Sequence, residues 1–321
     1  MEALLYPILA IAAGFGILIW SADRFVVGAA GTARNLGMSP MLIGLTVVSM
    51  GTSAPEMLVS GIAAYTGAGG LAIGNALGSN IANLGLVLGA TALIAPLPVK
   101  SGLMRKELPL LAAITLGAGL VLMDGYLGLL DALLLLAGLV ISLYLFARFQ
   151  RYANPNEIAH EEEELPDIPL RSALFWVLIG LLLLAGSSRL LVWGASSVAA
   201  HMGVSDLIIG LTIVAIGTSL PELAASIMSA LKKHHDIAIG NVVGSNIFNL
   251  LAVMPLPGLI APLQFDSVVL WRDYAAMVLF TAALLAFSYL FSKGRVGRVE
   301  GALLLTGYSA YLGLLYYMTA I

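Results

Sequence analysis

Ten stretches of this 321-residue chain stay apolar for about 20 residues, the length that crosses a bilayer. They lie at roughly 3–31, 40–65, 71–97, 105–123, 126–147, 170–199, 205–231, 237–262, 273–291 and 299–319. Inside lipid no water reaches the backbone, so a spanning segment of this kind satisfies its own amides and carbonyls as a helix. The expected fold is an all-α integral membrane protein with ten transmembrane helices. Composition agrees: 10% of the residues are charged and 60% hydrophobic, against about 25% charged in a soluble domain. Met1-Glu2-Ala3 lacks the basic region of a cleaved signal peptide, so the first stretch is expected to remain as a helix. The sequence has no cysteine, which excludes disulfides and thiolate metal sites. A net charge of −3 without a basic patch gives no reason to expect a nucleic acid.

Connectors are short except at 148–169, which contains Asn154-Pro155-Asn156 and the run Glu161-Glu162-Glu163-Glu164. This reads as a solvated linker between a first five-helix unit, 1–147, and a second, 170–321. Ten spans place both termini on one side. Twelve Lys and Arg residues, from Arg34 to Arg298, fall in loops on the other side, and only Arg272 on the near side. The positive-inside rule then puts both termini outside the cytoplasm and the acidic linker within it, in a plasma (inner) membrane. Arg24 and Arg189 fall within spans and read as snorkelling side chains. Lys106-Glu107 and Arg272-Asp273 read as interfacial anchors of helix ends.

The two units align without a gap at an offset of 166 residues. Gly51-Thr52-Ser53-Ala54-Pro55-Glu56 returns as Gly217-Thr218-Ser219-Leu220-Pro221-Glu222, Gly44-Leu45-Thr46 as Gly210-Leu211-Thr212, and Ser60 as Ser226. The run Gly74-Asn75-Ala76-Leu77-Gly78-Ser79-Asn80-Ile81-Ala82-Asn83 returns at 240–249, ending in Asn249. Each unit has an odd number of spans, so the second enters the membrane in the opposite direction. Such an inverted repeat places a substrate site at the midplane between its halves.

Glu56 and Glu222 are the residues that demand an explanation. A carboxylate at the bilayer centre costs roughly 2.5–3.5 kcal/mol on insertion scales, and a bound cation is the usual compensation. Pro55 and Pro221 lack an amide hydrogen and clash with the carbonyls of Gly51 and Gly217, so the helix is expected to kink or unwind over 51–53 and 217–219. Freed carbonyls near Thr52 and Thr218 then sit beside the carboxylates. Ser53-Ala54-Pro55-Glu56 also matches a capping box, which predicts a half-helix starting at each motif. Asn75, Ser79 and Asn83 share one helix face, as do Asn241, Ser245 and Asn249. Asn83 and Asn249 lie deep enough to face the carboxylates. Asn75, Asn80, Asn241 and Asn246 are open between that role and interhelical hydrogen bonding, and the glycines read as packing residues. The donors, namely two carboxylates, backbone carbonyls, the hydroxyls of Ser53, Ser79, Ser219 and Ser245, and two amides, are all oxygen. That set suits a hard cation, and Ca²⁺ takes 6–8 oxygens.

On these four motifs the chain resembles the sodium/calcium exchanger superfamily of cation antiporters, whose hallmarks are two inverted repeats with a Gly-Thr-Ser-x-Pro-Glu core and a Gly-Ser-Asn-Ile-x-Asn/Asp partner. The resemblance spans the ten-helix layout and implies Ca²⁺ and Na⁺ as transported ions, with no cofactor. It implies that Glu56 and Glu222 ligate them, with the Thr52 and Thr218 carbonyls and the Ser53, Ser79, Ser219 and Ser245 hydroxyls. Carbonyls at Ser49 and Ala215 would complete outer Na⁺ sites, and the first and sixth spans would slide over the rest. Asn249 stands where some relatives carry Asp, which leaves K⁺ co-transport and proton coupling less supported. The linker is too short for the regulatory domains of the animal exchangers. The expected function is Na⁺/Ca²⁺ antiport, with Ca²⁺/H⁺ antiport through the same Glu pair as the rival. A channel would show flux without a counter-ion. No nucleophile or phosphate loop accompanies the carboxylates, so an enzyme is not expected. The expected partners are inorganic cations and the lipid bilayer, with no obligatory protein.

Overall fold

The computed structural model describes residues 2–151, 165–204, 213, 215–291 and 294–320. The acidic run at 161–164 and the repeat match at 210–212 lie outside these residues. Helices form where the sequence is apolar: α1 (Glu2–Leu36), α2 (Pro40–Thr52), α3 (Ala54–Tyr65), α4 (Gly69–Ile94), α5 (Glu107–Leu122) and α6 (Leu129–Arg151). After the linker come α7 (Leu170–His201), the single turn α8 (Ala215–Thr218), α9 (Leu220–Leu231), α10 (His235–Ile260), α11 (Val269–Phe291) and α12 (Arg298–Ala320). Among the described residues six helices are long and apolar enough to cross a membrane, and α2 with α3, bent by 42°, makes a seventh.

The break between α2 and α3 is narrower than the expected unwinding over 51–53. Only Ser53, at φ −82° and ψ 0°, leaves the helix. Its amide still bonds the Ser49 carbonyl at 3.0 Å, and Met57 still reaches the Ser53 carbonyl at 3.1 Å. Pro55 deletes one amide hydrogen, and a bend at one residue relieves its clash with the preceding turn. Ser219, at φ −89° and ψ 4°, repeats this before Pro221.

Burial sorts the helices. Every residue in the most apolar window of α10 is buried, and 72% in that of α4, against 28% in α1 and α7. The polar motif helices α4 and α10 therefore stand at the centre, and α1 and α7 flank them, showing lipid-sized side chains such as Ile8, Phe15, Leu178 and Leu182 outward.

α1 and α7 pack against each other antiparallel along a glycine seam. A Cβ on Gly28 would come within 2.7 Å of the Ala173 carbonyl and the Val177 amide; on Gly180, within 2.8 Å of Phe25; on Gly194, within 2.8 Å of the Pro7 carbonyl. As α1 runs forward from Pro7 to Gly28, its partner residues run back from Gly194 to Ala173. Small residues allow this approach without hydrophobic driving force between helices in lipid. The last residues before α7 are tied to the end of α1: Arg34 donates to the Leu165 carbonyl at 2.7 Å and Asn35 to the Ile168 carbonyl at 2.8 Å.

Two short antiparallel strand pairs join the ends of the central helices. β1 (Leu97–Pro98) pairs with β4 (Arg295–Val296), Leu97 opposite Val296, and β2 (Tyr126–Leu127) pairs with β3 (Leu263–Gln264), Leu127 opposite Leu263. β3 is β1 displaced by 166 residues and β4 is β2 displaced by 169, so an exchange of the two units carries one pair onto the other with a shift of three residues in the second strand. α5 separates β1 from β2, which sets the two pairs at opposite ends of the bundle. Asp273 is buried and holds Arg272 at 2.7 Å while accepting from the Tyr311 hydroxyl at 2.8 Å, and Glu107 is buried too.

The seam sets a stability expectation. Gly28→Val should destabilise the detergent-solubilised protein by about 1–3 kcal/mol through overpacking. Gly61→Ala, where a Cβ would meet nothing within 4 Å, should be neutral or stabilising by roughly 0.5–1 kcal/mol. Thermal unfolding of the two variants checks the pair.

Candidate cation site

Each carboxylate sits in the first turn of a half-helix, Glu56 in α3 and Glu222 in α9, and both are 1% exposed. The positive end of each helix dipole thus faces its own carboxylate. The half-helices start where the capping-box reading places them, but neither Ser53 nor Ser219 makes a side-chain cap bond. The Ser53 hydroxyl instead donates across the repeat to Glu222 Oε1 at 3.4 Å.

The four asparagines left open are braces. Asn75 Nδ2 donates to the Glu56 carbonyl at 3.1 Å and to Ser60 Oγ at 2.9 Å. Asn241 Nδ2 repeats this on the Glu222 carbonyl at 3.3 Å and Ser226 Oγ at 2.9 Å. Its Oδ1 accepts from the Thr52 hydroxyl at 3.1 Å. Asn80 donates to the carbonyl of its own counterpart, Asn246, at 3.3 Å, and Asn246 donates to the Val242 carbonyl. The repeated Ser60 and Ser226 gain a role that their sequence matches left unassigned. They lie fifteen residues before Asn75 and Asn241 in each unit.

Asn83 and Asn249 behave differently. Each opens a wide π turn, Asn83–Leu88 and Asn249–Val253, a feature common at functional sites. The Asn249 turn packs on α3 and the Asn83 turn on α9, so each turn meets the carboxylate helix of the other unit. Both polar atoms of both amides are buried without a hydrogen-bond partner, as are Glu56 Oε2, Glu222 Oε2 and the hydroxyls of Ser219 and Ser245. Buried polar groups almost always find partners. With Asn80 Oδ1, Asn246 Oδ1 and Ser229 Oγ, nine orphaned buried oxygens lie on α3, α4, α9, α10 and the Ser219 break; all are hard donors, the kind a hard cation takes.

The remaining candidates divide. Ser49, Thr52 and Ser245 are fully buried and Ser79 nearly so. The Ser49 hydroxyl is spent on the Thr46 carbonyl and that of Thr52 on Asn241 and the Ser49 carbonyl; the Ser49 carbonyl also accepts from the Ser53 amide, so it is engaged twice. Thr218 and Ala215 lie in the α8 turn. Among the described residues no three His, Cys, Asp or Glu side chains group together, so the charge of the site is that of two carboxylates. Sequence reasoning missed the Asp23–Lys232 ion pair at 2.6 Å between α1 and the end of α9. The Arg24 guanidinium lies 5.3 Å from the ring centre of Trp176 and 5.9 Å from that of Trp20.

The two units are not covered alike. α2 lies on α10, where a Cβ on Gly240 would come within 2.9 Å of the Met41 carbonyl and on Gly244 within 2.7 Å of the Leu45 carbonyl. The packing reading of the glycines holds there. The counterparts Gly74 and Gly78 on α4 would meet nothing within 4 Å among the described residues. Ile237 is fully buried, while its counterpart Leu71 is 62% exposed.

Comparison with known proteins agrees with this geometry. The family described as sodium/calcium exchanger protein matches residues 6–148 and 172–317. The chain is 49% identical to the putative antiporter CaxA of Alkalimonas amylolytica over 94% of this chain and 96% of that one. It is 39% identical to the inner membrane protein YrbG of Escherichia coli (strain K12), over 96% of each. A solved structure of the sodium-calcium exchanger NCX_Mj superposes with a TM-score of 0.83 at 31% identity, covering 97% of this chain and 99% of that one.

The braces are testable apart from transport. Asn75→Leu takes a donor from Ser60, which still bonds the Ala72 carbonyl at 3.2 Å, and Asn241→Leu takes one from Ser226; each should cost about 1–3 kcal/mol in thermal unfolding, with Asn241→Leu the worse because Thr52 also loses its side-chain acceptor. Melts equal to that of the native protein would remove the bracing role.

Proposed function

The chain belongs to the sodium/calcium exchanger family, whose members are transporters and not enzymes, and on that premise we propose that it is a secondary antiporter exchanging Na⁺ for Ca²⁺ across the membrane. The observation that carries this reading is the set of six orphaned buried oxygens on Glu56, Glu222, Asn83, Asn249, Ser219 and Ser245. Ca²⁺ is bound by 6–8 oxygens, and the Thr52 and Thr218 carbonyls with Ser53 and Ser79 extend the set. The Ala215 carbonyl, and that of Ser49 once it exchanges the Thr52 hydroxyl it now holds for an ion, complete flanking Na⁺ positions. Two carboxylates with one Ca²⁺ sum to zero charge and with three Na⁺ to +1, whereas an empty site holds −2. Crossing while empty is therefore the costly step, and that favours exchange over leak.

The architecture in this reading is two inverted five-helix repeats, 1–147 and 170–321, joined by a cytoplasmic linker at 148–169. The antiparallel α1–α7 seam, the strand pairs that exchange between units, and the doubled Ser-x-Pro-Glu break support it. Both termini lie outside the cytoplasm, in keeping with the distribution of Lys and Arg. Cations are the substrates, and the reading needs no cofactor and no partner chain.

Everted vesicles provide the test. Ca²⁺ uptake should follow an imposed Na⁺ gradient and disappear in Glu56→Gln and in Glu222→Gln. With three Na⁺ per Ca²⁺, a 100 mV potential should shift the exchange equilibrium by roughly 2.3 kcal/mol. Uptake driven by a pH gradient without Na⁺ would replace this reading with Ca²⁺/H⁺ antiport. Uptake retained in both variants would sink the site.

A further inference from the structure

A guanidinium is a planar fork of N–H donors with no acceptor, and among the described residues that of Arg24 donates no hydrogen bond. Its Nε is buried without a partner, and the Asp23 carboxylate lies 3.9 Å away, beyond hydrogen-bond reach. Asp23 is spent elsewhere, on Lys232 Nζ at 2.6 Å. Two cations thus share one carboxylate, and the cluster keeps a net charge of +1.

The setting is aromatic and faces outward. The guanidinium stands over the rings of Trp176 and Trp20, which meet edge to face at 5.9 Å. Trp20 is 46% exposed, Phe175 beside Trp176 is 53% exposed, and the Arg24 side chain is 43% exposed. Cation–π contact holds the guanidinium without consuming its hydrogens. The ion pair fixes the height: Lys232 caps the C-terminus of α9, and Asp23 lies level with it. Arg24 is therefore at an edge of the membrane, where Trp and basic side chains gather. The repeat does not demand this cluster. The counterparts of Trp20, Arg24 and Trp176 are Gly186, Leu190 and Ala10.

We propose that Arg24, held by Trp20 and Trp176 and reinforced by Lys232, binds a phosphodiester anion supplied by the headgroup of an anionic phospholipid. The guanidinium fork matches two phosphate oxygens, and basic pockets between spanning helices take such headgroups. A zwitterionic lipid brings a cation as well, and the carboxylate that could receive it, Asp23, already belongs to Lys232. The topology proposed above makes this the cytoplasmic leaflet; the site itself does not rest on the exchanger reading.

Native mass spectrometry of the full chain, purified in a sugar-based detergent and stripped of lipid, gives the test. The probes are phosphatidylglycerol and phosphatidylcholine with the same acyl chains. The native protein should hold one phosphatidylglycerol about fivefold or more above phosphatidylcholine, the effect of one basic side chain near a membrane surface. Arg24→Gln should erase the preference. Trp176→Leu keeps the charge and should weaken phosphatidylglycerol about two- to fivefold. Asp23→Asn raises the net charge to +2 and should tighten phosphatidylglycerol about fivefold, a gain that misfolding cannot produce. Arg189→Gln removes the other arginine within a span, well away from Trp176 along α7, and should change nothing. Equal binding of the two lipids to the native protein overturns the site. So does a preference that survives Arg24→Gln, is unchanged in Trp176→Leu, falls in Arg189→Gln or fails to rise in Asp23→Asn. Displacement of the lipid by an equal concentration of inorganic phosphate overturns the lipid and makes a soluble phosphate the ligand; no displacement keeps the lipid. The assay needs no flux, so failure of Na⁺-driven Ca²⁺ uptake leaves this result standing, and equal lipid binding beside normal uptake removes the lipid site alone.

Discussion

Two carboxylates buried at 1% exposure, cut off from bulk solvent, set the terms for everything packed around Glu56 and Glu222. Each obtains a helix N-terminus, because the proline just before it ends one helix and begins another. Each has its backbone held by an asparagine, which is held in turn by a serine. Beyond these braces stand oxygens with nothing to bond. A structural ion pair would have supplied an arginine or lysine here. The arrangement supplies neutral oxygens, which a cation can enter and leave without breaking a protein salt bridge.

Much of this was legible in the sequence because the physics is local or repeated. Proline dictates where α2 gives way to α3 within a few residues. The 166-residue offset pairs Glu56 with Glu222 and Asn83 with Asn249 without any structure. What could not be read was which partner each polar group chooses. Ser53 fits a capping box, yet its hydroxyl reaches Glu222 in the other unit, and local sequence has no view of a carboxylate 169 residues away. The spacing of Asn75, Ser79 and Asn83 puts all three on one face, but only packing decides that the first braces a carbonyl while the last is left unpartnered. Asp273 looked like an interfacial anchor because its neighbour is Arg272; Tyr311, from α12, makes it a buried acceptor instead.

The departures from symmetry carry as much information as the matches. Two identical units would have equal energy with either end of the bundle covered. In this chain Ile237 is buried under α2 while Leu71 is exposed, and Lys232 on α9 meets Asp23 on α1, where the counterparts are Thr66 and Arg189. Side-chain chemistry thus differs at paired positions that the backbone repeat alone would leave equivalent. A difference of about 1.4 kcal/mol is already a tenfold bias, within reach of a few such substitutions.

The strand pairs at the bundle ends have a consequence for how the chain is made. Leu97 finds its partner Val296 about 200 residues later, and loop closure over such a length is entropically costly until other contacts hold the ends. At a synthesis rate of roughly 5–20 residues per second, β1 waits some tens of seconds with an unpaired edge. During that interval the first unit also lacks α10, the helix its own α2 covers. Inserted alone, the first five helices are an unfinished half of a shared core, so an arrest of translation between the units leaves a product that the cell must recognise and clear.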